Sequence, residues 1–169
     1  MVFTAYAIKV ALAQRYYASI KTWHLPPEFG EDLKYGKSIP DMIDTYKNTW
    51  MTYSPELKFI YVPLMEYNHW YLMVVSMSDR TVYHVDSYLQ DHDIEDRRAV
   101  IRNVCEALYK IMTSDAYGDS AVYTPFDLEQ WPIDIARGVP NMGSSANSSI
   151  WVLQWMLMED SFAPNLPGL

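Results

Sequence analysis

Apolar and polar positions follow several different rhythms along this chain. From Val2 to Ile20 the rhythm is four. Ile8, Leu12, Tyr16 and Ile20 share one stripe, and Tyr6, Val10, Ala13 and Tyr17 share its neighbour, which predicts a helix. Trp23 to Pro40 holds three prolines and two glycines and predicts a loop. Asp41 is placed to cap a short helix running through Trp50, with Met42, Ile43 and Tyr46 on one side. The rhythm then changes to short runs rich in β-branched and aromatic residues: Lys58 to Leu64, Trp70 to Met77 and Thr81 to Val85. The last two are separated by the turn Ser78-Asp79-Arg80. These runs predict consecutive strands of a mostly antiparallel sheet, buried on at least one face, with Pro63 at a strand end.

The clearest helix follows, from Asp91 to Met112. Ile94, Ile101, Val104, Cys105, Leu108, Ile111 and Met112 line one stripe, and acids gather at the start, where the helix dipole favours them. Cys105 lies in that stripe and reads as a core residue, not a nucleophile. Ser114 to Ser120 reads as a polar loop, and a further strand is expected around Ile133 to Ala136. Pro140 to Asn147 is rich in Gly, Ser and Asn and predicts a loop that leads into an apolar helix, Ile150 to Met158.

Composition narrows the classes. The chain has 169 residues, half of them hydrophobic, and so is read as a single domain, 1–169, with one core, and as a C-terminal piece of a longer protein. A formal net charge of −8 argues against a nucleic-acid partner, which needs clustered Lys and Arg, and suits a basic protein surface. The one cysteine excludes a disulfide within the chain and a cysteine-based zinc site, and suits the reducing nucleus or cytoplasm. No run of about 18 apolar residues is present, so no membrane span is expected. His84 and His92 lack ligand spacing and there is no glycine-rich phosphate loop, so no metal and no cofactor is expected.

Three features carry candidate chemistry. His69 opens one predicted strand and Asp86 closes the next, so an antiparallel pair brings them within hydrogen-bond reach. A carboxylate there would fix the tautomer of the imidazole. Ser148 and Ser149 stand where the polar loop enters the apolar helix, and a helix start offers free N–H groups and a positive dipole end beside a nucleophile or an oxyanion. Each residue also has an ordinary structural role: a buried histidine, a turn-forming aspartate and a capping serine.

The segment IYVPLMEYNHWYLMVVSMSDRTVYHVDSYL, Ile60 to Leu89, closely resembles the core of the ubiquitin-like-protein (SUMO) cysteine protease family, which includes many plant proteins, some linked to transposons. The resemblance lies in Val62-Pro63, His69-Trp70 and Asp86-Ser87, with His and Asp 17 residues apart, and the region around Trp50 also fits. It implies an α+β cysteine-proteinase fold (papain-like, adenain-related), a mostly antiparallel central sheet flanked by helices. It also implies a His–Asp–Cys triad, with a Gln assisting the oxyanion. His69 would be the base, Asp86 its orienting partner, and Trp70 would pack on the Gly-Gly tail of a ubiquitin-like protein such as SUMO.

At the nucleophile the sequence departs from the family pattern. Anchoring on Ile150-Trp151-Val152-Leu153 puts Asn147 at the Asp position, Ser148 at the Cys, Ser149 at the Gly and Met142 about where the Gln belongs; a shift of one residue would make Ser149 the nucleophile. Four departures together fit natural drift better than a single trapping substitution. The expectation is therefore a degenerate peptidase of weak or no activity. The alternatives are a non-catalytic module that binds ubiquitin-like proteins and a structural relic domain of a transposon-derived plant protein.

Overall fold

The computed structural model of the protein describes residues 5, 7–10, 21–118 and 127–157. Residues 5 and 7–10 are helical, and the rest of the predicted Val2–Ile20 helix lies outside the described residues. The architecture is α+β. Five strands, β1 (Thr22–His24), β2 (Phe59–Glu66), β3 (His69–Ser76), β4 (Thr81–Val85) and β5 (Ile133–Ile135), lie in the order β1-β2-β3-β4-β5. The sheet is mixed. Its centre is antiparallel, β2 with β3 and β3 with β4, and its two edges are parallel, β1 with β2 and β4 with β5.

Side chains alternate across the sheet, and both faces are covered. Ile60, Val62, Leu64, Tyr71, Met73, Val75 and Val82 point into one core cluster, completed by Ile101, Val104, Cys105 and Leu108 of the long helix α3 (Ile94–Met112). Tyr61, Leu72, Val74, Tyr83 and Val85 point the other way, onto Val152, Trp155 and Met156 of α4 (Ser148–Leu157). Burial on two faces explains why β2 and β3 read as near-continuous apolar runs instead of alternating ones. Fully burying each such side chain contributes roughly 1.5–3 kcal/mol.

The strand lengths correct the expected bounds. β2 and β3 continue to Glu66 and His69, because Tyr67 and Asn68 both adopt left-handed backbone angles (φ 48° and 62°), the pair that a two-residue hairpin turn requires. Pro63 therefore lies inside β2. β1 ends opposite Tyr61, so β2 is a sheet edge at that point, which is where a strand tolerates proline. Trp23 to Pro40 is not all loop. It contains β1 and the helix α1 (Glu28–Lys34), held by buried Trp23 and Phe29. The prolines mark the boundaries between these elements instead of excluding them. The next helix, α2 (Ile39–Tyr46), is capped by Ser38, whose hydroxyl accepts from the Asp41 N–H; Asp41 lies in the first turn and does not itself cap. Arg102 on α3 donates to the carbonyls of Glu129 and Trp131, tying that helix to the approach to β5.

Candidate active site

On its β3 side β4 pairs with Leu72–Ser76, so the first three residues of β3, His69 to Tyr71, extend beyond it. Asp86 follows the end of β4 and lies on the same sheet face as His69. The two meet there: His69 Nε2 is 2.7 Å from Asp86 Oδ1, with both side chains almost wholly buried. The main-chain N–H of Tyr88 also donates to Oδ1, at 2.9 Å. The second oxygen, Oδ2, is 3.2 Å from His84 Nε2 and accepts from Arg97 Nη1. Arg97 further reaches Asp93 (3.2 Å) and the carbonyl of Tyr88 (3.3 Å). Burial alone would raise the Asp86 carboxyl. The hydrogen bonds from His69, His84 and Tyr88 and the charge of Arg97 outweigh it and hold the group well below the usual carboxylate range.

An ionised carboxylate only accepts, so the hydrogen on each histidine sits at Nε2. That leaves Nδ1 of His69 as the ring's proton acceptor, and this atom is buried with no hydrogen-bond partner. Ser148 stands at the start of α4 and is buried. Its Oγ accepts from the main-chain N–H of Trp70, at 3.1 Å, occupying the stretch of β3 that β4 leaves uncovered. Ser149 is half-buried. Asn147, just before, adopts a left-handed angle (φ 62°), which Asn tolerates better than most residues.

Trp70 is half-buried and packs beside the α4 cluster. It also borders a cavity of about 360 Å³ lined by Leu33, Leu64, Val100 and Val104. Met142 is 39% exposed and is anchored by its main-chain N–H, which donates to the carbonyl of Ser87 at 2.8 Å. Its thioether has no hydrogen to offer an oxyanion. Cys105 lies buried in the α3 core, and burial pushes its thiol up to about 12. Among the described residues no group of three His, Cys, Asp or Glu could hold a metal ion, and no helix is long and apolar enough to cross a membrane.

The model of the Ulp1 protease family, C-terminal catalytic domain, matches residues 16–158. The chain belongs to the Ulp1 protease family. Similar solved structures include the SUMO protease Ulp1 with its catalytic cysteine oxidised to a sulfenic acid (TM-score 0.61, 15% identity, covering 94% of this chain and 62% of that one). The C-terminal Ulp1 protease domain in complex with Smt3, the yeast ortholog of SUMO, is alike to the same extent (0.60, 16%, 94% and 62%). So is the Chaetomium thermophilum Ulp1-like SUMO protease catalytic domain (0.56, 14%, 96% and 59%). At such identities the likeness is one of fold, and the chain spans about three-fifths of those structures' lengths. No curated protein matches the chain. The Ulp1-like fold agrees with the expected cysteine-proteinase architecture, with parallel edges added to the antiparallel centre.

Two residues of the buried cluster were missed by the sequence reading. His84 was set aside as lacking ligand spacing. Its position at the end of β4, two residues before Asp86 in extended chain and hence on the same face, was the signal that could have found it. Arg97 carried no such signal, because a charge in the first turns of an amphipathic helix normally faces water.

Proposed function

We propose that this chain is a recognition domain that binds the C-terminal Gly-Gly tail of a ubiquitin-like protein such as SUMO, with peptidase activity weak or absent. The observation that carries the reading is at Ser148: its oxygen is engaged by the Trp70 amide, while His69 Nδ1, the atom suited to take its proton, has no hydrogen-bond partner. A thiol beside an imidazolium ionises readily, whereas a serine hydroxyl needs a base in hydrogen-bond contact during attack. Met142 in place of an amide donor removes further oxyanion stabilisation, a loss of roughly 10²–10³ in rate. The tail-binding half of the reading is supported by family membership and by half-exposed Trp70 beside the site.

The test is a binding-and-cleavage assay with a panel of ubiquitin-like proteins carrying a fluorogenic C-terminal tail, run on the parent and on Ser148→Ala, Ser148→Cys and His69→Ala. The expected result is binding that survives Ser148→Ala, with no turnover by the parent. Turnover by the parent that disappears in both Ser148→Ala and His69→Ala would establish a serine peptidase and overturn the inactive reading. Absence of binding to every tail would overturn recognition and leave a structural role.

A further inference from the structure

We infer that His84 and Arg97 are positioning residues for the His69–Asp86 pair, acting through the second oxygen of the shared carboxylate. The inference rests on the reading of His69 as the base of a protease-type site. A carboxylate has about four lone-pair positions, and Asp86 fills them with four donors, two on each oxygen. Rotation about the bond to an aspartate carboxyl is soft and roughly two-fold. The donors on Oδ1, His69 and the Tyr88 N–H, would by themselves leave the second oxygen unheld and the carboxylate able to turn. His84 and Arg97 on Oδ2 remove that freedom and present Oδ1 to His69 Nε2.

The clamp is itself held. His84 meets the Tyr71 ring edge-on at 5.2 Å, and the Arg97 guanidinium lies over the same ring at 5.4 Å. Tyr71 in turn donates its hydroxyl to Glu66 at 3.3 Å. Tyr88 closes a loop, since its N–H donates to Oδ1 and its carbonyl accepts from Arg97. β2, β3, β4, the loop after β4 and α3 thus all converge on one carboxyl group. Its orientation fixes which nitrogen of His69 carries hydrogen, and hence that Nδ1 keeps its lone pair.

The test uses the full chain labelled with ¹⁵N-histidine. At a pH of about 8.5, where an ordinary imidazole is neutral, long-range ¹H–¹⁵N spectra distinguish the two tautomers. The parent is expected to show His69 as the Nε2–H form. His84→Phe keeps a ring against Tyr71 but offers no donor, and is expected to raise the Nδ1–H fraction of His69 about tenfold. His84→Gln, whose amide nitrogen reproduces the donor, is expected to restore the parent spectrum. In a Ser148→Cys background, His84→Phe should lower kcat on the fluorogenic tail about tenfold with KM unchanged, and His84→Gln should recover it. A His84→Phe spectrum and kcat identical to the parent's would overturn the positioning role. A silent Ser148→Cys protein with the tautomer shift present would instead sink the protease-type reading and leave the positioning result standing. Should His84→Phe not fold, Arg97→Gln with Arg97→Lys as its rescue makes the same comparison at the same oxygen.

Discussion

The two halves of the candidate site are built differently. The half on the sheet, His69 and Asp86 with His84 and Arg97, is buried and tied together from β3, β4, the loop after β4 and α3. The other half is the Pro140–Asn147 loop and the first turn of α4. The loop is largely exposed and rich in Gly, Ser and Asn, whereas Ser148 at the start of the helix is buried. The contrast lies in how far the fold itself constrains each half. Asp86 lies beside a buried cation, so its removal damages the fold. Met142 faces water, and substitutions there are tolerated by the fold whatever they do to chemistry.

The sharpest way to expose that difference is to mutate one residue on each side. Asp86→Asn removes the more buried of the two carboxylates that the Arg97 guanidinium contacts, leaving only Asp93, and should cost about 3 kcal/mol of stability, read from urea unfolding. Met142→Ala, at an exposed position, should stay within about 0.5 kcal/mol in the same assay. Equal losses at the two positions would erase the distinction between a half fixed by the fold and one that the fold leaves free.

The comparison can be broken from the other side by repairing the loop. In a Ser148→Cys protein, adding Met142→Gln should raise turnover of a fluorogenic Gly-Gly tail by about 10²–10³, the usual worth of one oxyanion donor. Ser148→Cys turning over equally fast without the glutamine would mean that the loop has kept its electrostatic function by another route.

Acid should single out the sheet half as well. The Asp86 carboxyl is held low in the folded protein by its four donors, so the unfolded chain takes up this proton first as pH falls. The stabilisation is therefore complete above the ordinary carboxylate range. It is lost progressively below about pH 4, at up to about 1.4 kcal/mol per pH unit from this one group. Urea midpoints measured between pH 6 and 3 should fall more steeply for the parent than for Asp86→Asn. Parallel curves would mean that Asp86 gains nothing from its donors.

Much of this was legible in the sequence, for identifiable reasons. The runs of β2, β3 and β4 are apolar on both faces and bounded by turn residues, so their existence and pairing followed directly, and with them the approach of His69 to Asp86. β1 and α1 were hidden because each is short and is held by tertiary contact: Trp23 and Phe29 are buried, but three prolines and two glycines in that stretch masked the period. The mixed character of the sheet was hidden too, since parallel pairing at the edges joins strands distant in sequence, such as Val82 with Ile133. In the site, Arg97 was illegible because its burial depends on an acid eleven residues away, presented by a different element.

The smallest predicted effect concerns the register of two adjacent serines, which the sequence left open. Ser148 is buried, and its Oγ accepts the Trp70 N–H that β4 leaves without a strand partner. Ser149 is half-buried on the same helix turn. Ser148→Ala removes the acceptor and strands that amide, which should cost about 1 kcal/mol and speed hydrogen exchange at the Trp70 N–H. Ser149→Ala loses no such bond and gains the better helix former, so stability should hold or rise by a few tenths, roughly 0.3 kcal/mol. Exchange at Trp70 should then be unchanged. The reverse pattern, with Ser149→Ala exposing the Trp70 amide, would move the nucleophile position by one residue and with it every role assigned to the start of α4.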